Sequence, residues 1–261
     1  MKLFRTTLRG YFWKLYSNIQ IYKYYLGVIL TISIWYVQRN REVYFSDFAF
    51  SLADGYVISI NRWMNILIIF PMTFFTTFKI LESTYSIQQV LRVHRLKRIW
   101  LIQIIEYVIN AIIMSIILTF VVCVANLDTM NTIINFSEPD SIFAFYNQGN
   151  TSDTIKIWHV VLGFTVCEIV LILSGSMLIA FLNIFFDIKS SMIISGILLV
   201  GETFLGWNIL GISNINISYF RWYPDVSFQI QKAILVILIE VLIGFVFIRV
   251  KDILYGNAEV F

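Results

Sequence analysis

The chain has 261 residues, of which 59% are hydrophobic and only 13% charged, and its formal charge is +3. Four lone glutamates, Glu106, Glu168, Glu202 and Glu240, each stand inside a separate long apolar run. Runs that apolar do not pack around a water-soluble core of this length, so a soluble globule is excluded and a polytopic all-α membrane protein is expected. The bases gather into short patches between the runs, which excludes a nucleic-acid footprint.

The first segment, 1–20, is too charged to span and too apolar to be a free tail. On a helix, Phe4, Leu8, Tyr11, Phe12, Leu15 and Ile19 recur at offsets of three and four, while Lys2, Arg5 and Arg9 project elsewhere. That chemistry predicts an interfacial amphipathic helix, with aromatics below the headgroups and bases on anionic membrane lipid. Gly10 weakens it, and a disordered basic leader is the plainer alternative. The segment lacks a continuous apolar core before a small-residue cleavage site, so no cleavable signal is expected and the first span directs insertion.

Six spans follow, at 21–37, 63–81, 100–125, 158–186, 191–210 and 228–248, within one transmembrane domain covering 1–261. Lys23 can snorkel from the short first span, and Pro71 predicts a kink in the second. Trp63, Trp100, Trp158 and Trp207 fall near span ends, as an aromatic belt would require. Cys123 and Cys167 lie in apolar runs, where a small soft side chain is packing material. Alternate connections hold thirteen and six Lys and Arg residues respectively. The richer set includes both ends of the chain, so both termini are expected in the cytoplasm.

The connection 82–99 reads as a cytoplasmic helix in which Ile87, Val90, Leu91 and Leu96 interleave with Arg92, Arg95, Lys97 and Arg98. Bases that merely hold the loop inside would explain the charges but leave the apolar residues without a purpose. The outer connection 126–156, rich in Asn, Ser, Thr and acids, is either a lid or a solvated connector. The second outer segment, 211–227, interleaves Ile212, Ile215, Ile217, Tyr219, Phe220, Trp222 and Tyr223 with Asn214, Asn216 and Arg221, with Pro224 as terminator. Its backbone cannot stay unsatisfied in lipid, so it is expected to be re-entrant or interfacial.

A buried glutamate either hydrogen-bonds across a helix interface or faces a cavity along which cationic or amphipathic cargo moves. Counting along the spans puts Glu106 toward the cytoplasm, Glu240 near the middle, and Glu168 and Glu202 in the outer half as the pair best able to meet. Gly196, Gly201 and Gly206, with Ser176 and Ala180, are expected to permit close helix approach. His94 and His159 are the only histidines and stand far apart, so no metal site is expected. Neither a nucleophile elbow nor a phosphate-binding G-x-x-x-x-G-K-[ST] loop occurs, so the chain is not expected to be an enzyme by itself.

An amphipathic start, six spans with both ends inside, and Glu82 leading into a basic connection form one set of features. A very short inner turn at Asp187, Ile188 and Lys189 and a longer outer segment at 211–227 complete it. In these features the whole chain resembles the type-2 family of ATP-binding-cassette (ABC) export permeases. Where that family often has a glycine soon after the glutamate and a lysine early in the third span, Tyr85 and Gln103 stand here. The resemblance implies that Glu82, Ile87, Val90, Leu91, Arg92, Arg95 and Arg98 form a coupling helix inserted into a separate ABC ATPase subunit. ATP and magnesium would belong to that subunit, with no cofactor on this chain. A second permease subunit, identical or related, is implied as well, in a bacterial plasma membrane. The expected cargo is amphipathic or hydrophobic, a bacteriocin- or cytolysin-like peptide before a lipid or drug, and the candidate path is Glu106, Glu168, Glu202 and Glu240. The rival expectation is a non-transporting immunity or sensor protein that sequesters a peptide.

Overall fold

The computed structural model describes residues 48–59, 62–84, 96–127, 132–207 and 223–256, with scattered positions between 27 and 39 and between 209 and 215. The interfacial helix 1–20 and most of the first span, 21–37, lie outside the described residues. So do residues 85–95 of the coupling segment and most of 211–222.

Among the described residues the fold is helical, with two isolated bridges (Ala49 with Ser141, Ser51 with Thr132) in place of any sheet. Helix α1 is Leu52–Ser59, α2 is Phe70–Thr84, α3 is Leu96–Asn126 and α4 is Ile142–Tyr146. Helix α5 is Ile157–Leu182, α6 is Ile188–Val200 and α7 is Tyr223–Gly256. Among the described residues five stretches are long and apolar enough to cross a membrane: Asn65–Glu82, Leu96–Asn126, Ile157–Leu182, Ile188–Leu205 and Ser227–Lys251. At 1.5 Å per residue α3 and α7 reach about 45 to 50 Å and project beyond a hydrocarbon core of roughly 30 Å.

Local chemistry moves several expected boundaries. The disturbance expected at Pro71 is a widened π turn, Asn65–Ile69, just ahead of it, closed by the Phe70 N–H on the Asn65 carbonyl. A proline ring collides with the carbonyl four residues back, and the wider turn relieves that collision. The fourth span stops at Leu182, not 186, although Phe185 and Phe186 prolong the apolar run. Asp187 then caps α6, accepting from the Lys189 and Ser190 N–H groups at 3.1 and 3.3 Å and from Ser190 Oγ at 2.5 Å. The short turn expected at 187–189 is therefore 183–187, and Ile188 and Lys189 already belong to the helix. The Ser190 hydroxyl, with these N–H groups, holds the Asp187 carboxyl below its usual range. At its C-terminal end α6 passes into a π turn, Gly201–Leu205, and halts at Gly206, whose φ of +65° is left-handed. Of the three glycines expected to pack spans together, Gly206 is thus a helix stop, while Gly196 touches the Phe74 ring.

Helix α5 is the axis of the bundle, in contact with α1, α2, α3, α6 and α7. Small and hydroxyl side chains let it be approached on every side. A Cβ on Gly175 would stand 3.0 Å from Thr73 Cγ2, and Thr77 Oγ1 donates to Ser176 Oγ at 2.9 Å. Hydrocarbon supplies no hydrophobic drive between helices, so such close packing and hydrogen bonds hold them. Trp100, expected in the interfacial belt, is instead enclosed. Its ring lies on Gly244 and its Nε1–H reaches the Val241 carbonyl at 3.4 Å. On α3 an outward stripe of Val108, Ile112, Ile116 and Phe120 faces away from the bundle at helical spacing.

The connections at 48–53 and 132–143 are folded together. Leu52 and Ala53 N–H groups donate to the Thr132 and Ile133 carbonyls at 3.0 and 3.2 Å. Asn135 Nδ2 donates to the Ala49 carbonyl at 2.8 Å. Phe136 stacks on Phe143 at 4.7 Å, and Phe50, Phe136 and Ile142 are buried. The first part of the connection, 132–144, is accordingly packed as a cap on α1, while 148–151, 153 and 154 are exposed.

Candidate functional site: the buried carboxylates

Four glutamates enter the bundle, and all four are buried. Their surroundings differ. In α3, Glu106 stands one turn from Asn110, whose Nδ2 donates to Thr76 Oγ1 at 3.0 Å. With the Thr77–Ser176 bond this makes a polar seam joining α2, α3 and α5. Thr76 also returns its hydroxyl to the Met72 carbonyl at 2.9 Å, which satisfies its donor inside the helix.

Further out, Ser115 Oγ donates to the Thr165 carbonyl at 2.7 Å, and the Thr119 and Thr165 hydroxyls meet at 3.0 Å. Glu168 follows Thr165 by one turn. It is fully enclosed, and among the described residues neither of its oxygens has a hydrogen-bond partner. It stands roughly 12 Å along α5 from Ser176 at 1.5 Å per residue.

Glu202 has a different occupation. One of its oxygens accepts from the backbone N–H groups of Ile209 and Leu210, the second at 2.7 Å. The carboxylate thereby ties the chain beyond Gly206 back under the π turn, satisfying donors that would otherwise lie bare near lipid. No hydrogen bond joins it to Glu168. The expected meeting of these two gives way to a backbone tether, because two N–H groups lie within reach of Glu202.

Glu240 lies on the narrow stripe of α7 that meets the bundle, with Ala233, Ile237, Gly244 and Ile248. It stands one turn from Gly244, against which the Trp100 indole is pressed, so it falls beside the first turns of α3. Its Oε2 has no hydrogen-bond partner among the described residues, and neither polar atom of the buried Gln103 has one.

In the coupling segment, Glu82 closes α2 and pairs with Lys79 at 2.8 Å, and Arg98 is exposed on the first turn of α3. Ile87, Val90, Leu91, Arg92 and Arg95 lie outside the described residues. His159 Nδ1 accepts the Lys156 N–H at 3.0 Å and so caps α5. Among the described residues no group of three or more His, Cys, Asp or Glu side chains could hold a metal ion. Sequence reasoning missed the buried Asp54, which accepts from the Ser51 N–H at 2.8 Å and Oγ at 2.6 Å and fixes the start of α1. The S-x-x-D pattern at 51–54 was the available signal.

Comparison of the chain with protein-family models, with curated proteins and with solved structures finds no match in any of the three. The fold defines a multi-pass membrane protein.

Proposed function

We propose that the chain is the transmembrane permease subunit of an ABC exporter, carrying an amphipathic or hydrophobic cargo across a bacterial plasma membrane. The observation that carries this reading is Glu168, a carboxylate enclosed in the central helix with no hydrogen-bond partner among the described residues. Such a group costs a few kcal/mol in a membrane interior, and intramembrane acids mark cargo and proton pathways. Glu106 and Glu240 extend the acidic line toward the basic end of the bundle, and Glu202 contributes as a tether of its outer wall. A membrane-active peptide is the first cargo, because acids between apolar walls suit a cationic amphipathic chain. ATP and magnesium belong to a separate ATPase subunit, docked at the segment after Glu82, and the permease acts with a second copy or a related chain.

Glutamine at position 168 keeps shape and hydrogen-bonding capacity while removing the titratable charge. Glu168→Gln is therefore expected to cut cargo export at unchanged yield of the assembled complex. Full export by the variant would refute a place for Glu168 in the path. The reading of a non-transporting protein that sequesters a peptide is favoured by one observation, the packed outer cap. Its cleft of about 550 Å³ is walled by Phe48, Phe145 and Asp140. Peptide binding without peptide movement in sealed vesicles would select that reading.

A further inference from the structure

We propose that the basic end of the bundle holds a binding pocket for the headgroup of an anionic phospholipid, a site independent of the transport reading. The pocket, about 190 Å³, opens where three elements meet: Leu96 and Ile99 of α3, Asn183 and Ile184 after α5, and Ile248 and Lys251 of α7. Among the described wall residues the one cation, Lys251, is half-buried. The ammonium donates to the Ile184 carbonyl at 2.7 Å, which fixes its position and leaves two of its three N–H groups for a ligand.

The sequence beside the pocket is rich in bases. Lys97 and Arg98 stand between the wall residues Leu96 and Ile99, and Arg249 precedes Lys251 by two positions, all three exposed. The stretches 96–99, 183–184 and 248–252 thus carry four bases against one acid, Asp252. Nearby Asp187 spends its carboxylate on the start of α6. A net positive pocket between spanning helices selects anionic over zwitterionic headgroups.

What distinguishes a lipid from a free phosphate is the surface beside the pocket. Phe185 and Phe247 meet edge-on at 4.9 Å, and with Val250 they remain between 43% and 47% exposed. A soluble anion has no use for that shelf, whereas an acyl chain leaving a headgroup on Lys251 lies along it. The pocket joins the ends of α3, α5 and α7, so an occupied site pins three helices together.

The experiment titrates the full chain in detergent with dihexanoyl phosphatidylglycerol, dihexanoyl phosphatidylcholine or inorganic phosphate, following thermal unfolding by tryptophan fluorescence. Phosphatidylglycerol is expected to raise the midpoint at concentrations where the other two leave it unchanged. Lys251→Gln is expected to weaken that response about tenfold, the loss of one charge-assisted contact. Lys251→Arg, which keeps the charge and the donor to Ile184, should restore it. If Lys251→Gln fails to fold, the Arg98→Gln, Arg249→Gln double variant at two exposed positions should show weakened phosphatidylglycerol response instead. An equal shift with phosphatidylcholine, a shift with phosphate alone, or glutamine variants that titrate like the parent chain would overturn the proposal.

Discussion

Helices α5 and α7 are both long and apolar, each carries a single glutamate within its membrane-spanning stretch, and they stand in opposite relations to the bundle. Protein covers α5 from several sides, and Glu168 is sealed within it. Helix α7 gives the bundle one stripe, Ala233, Ile237, Glu240, Gly244 and Ile248, and turns Phe228, Leu235, Leu238, Leu242 and Val246 outward. The apolarity of a run therefore reports the solvent it lives in, not the neighbours it keeps. In lipid an outward leucine costs nothing, so burial is decided by where small and polar residues permit close approach. On α5 these are Gly163, Gly175, Ser174 and Ser176, whereas the described inward stripe of α7 offers Ala233 and Gly244.

The contrast breaks most sharply at Gly175. Leucine there would drive side-chain atoms into Thr73 and Leu199 and push α2 and α6 off the axis, costing about 3 kcal/mol, the upper part of the range for overpacking. Thermal unfolding in detergent measures it, and an unchanged midpoint would deny α5 its central place. The glutamates give the next test. Glu202→Leu removes the acceptor of two backbone N–H groups and is expected to cost about 2 kcal/mol. Glu168→Leu removes no described hydrogen bond and should leave stability nearly unchanged or improved. If the two leucine variants melt alike, the distinction between a tethering carboxylate and an enclosed one without a described partner fails. The smallest effect belongs to α7: Leu242→Ala, on the outward face, should move stability by less than about 0.5 kcal/mol.

The spans are legible in the sequence because about 20 apolar residues in a row match the thickness of a hydrocarbon core and suit little else. Their ends are less so. Phe185 and Phe186 look like span, but the chain turns at Asn183 and Asp187 restarts the helix, a cap that outranks hydropathy. Trp100 reads as interfacial because it stands near a span end, and only the missing side chain of Gly244, 144 residues on, shows why it is enclosed. The outer cap is hidden for the same reason. Phe50 belongs to the same apolar cluster as Phe136, Ile142 and Phe143, and no local periodicity announces a cluster assembled across that separation. Of the candidate site, the burial of all four glutamates follows from their apolar surroundings. Their separate employments do not, since Glu202 finds its partners in a loop beyond its own helix.

The permease reading rests on a second chain, and the most direct measurement is to isolate that chain. A tagged copy of this protein, drawn from its native membranes in mild detergent, is predicted to bring with it a subunit that hydrolyses ATP. Val90→Asp with Leu91→Asp, in the segment after Glu82, should abolish that association while leaving the chain in the membrane. Purification free of any ATPase, or an ATPase retained undiminished by the double variant, would contradict the account.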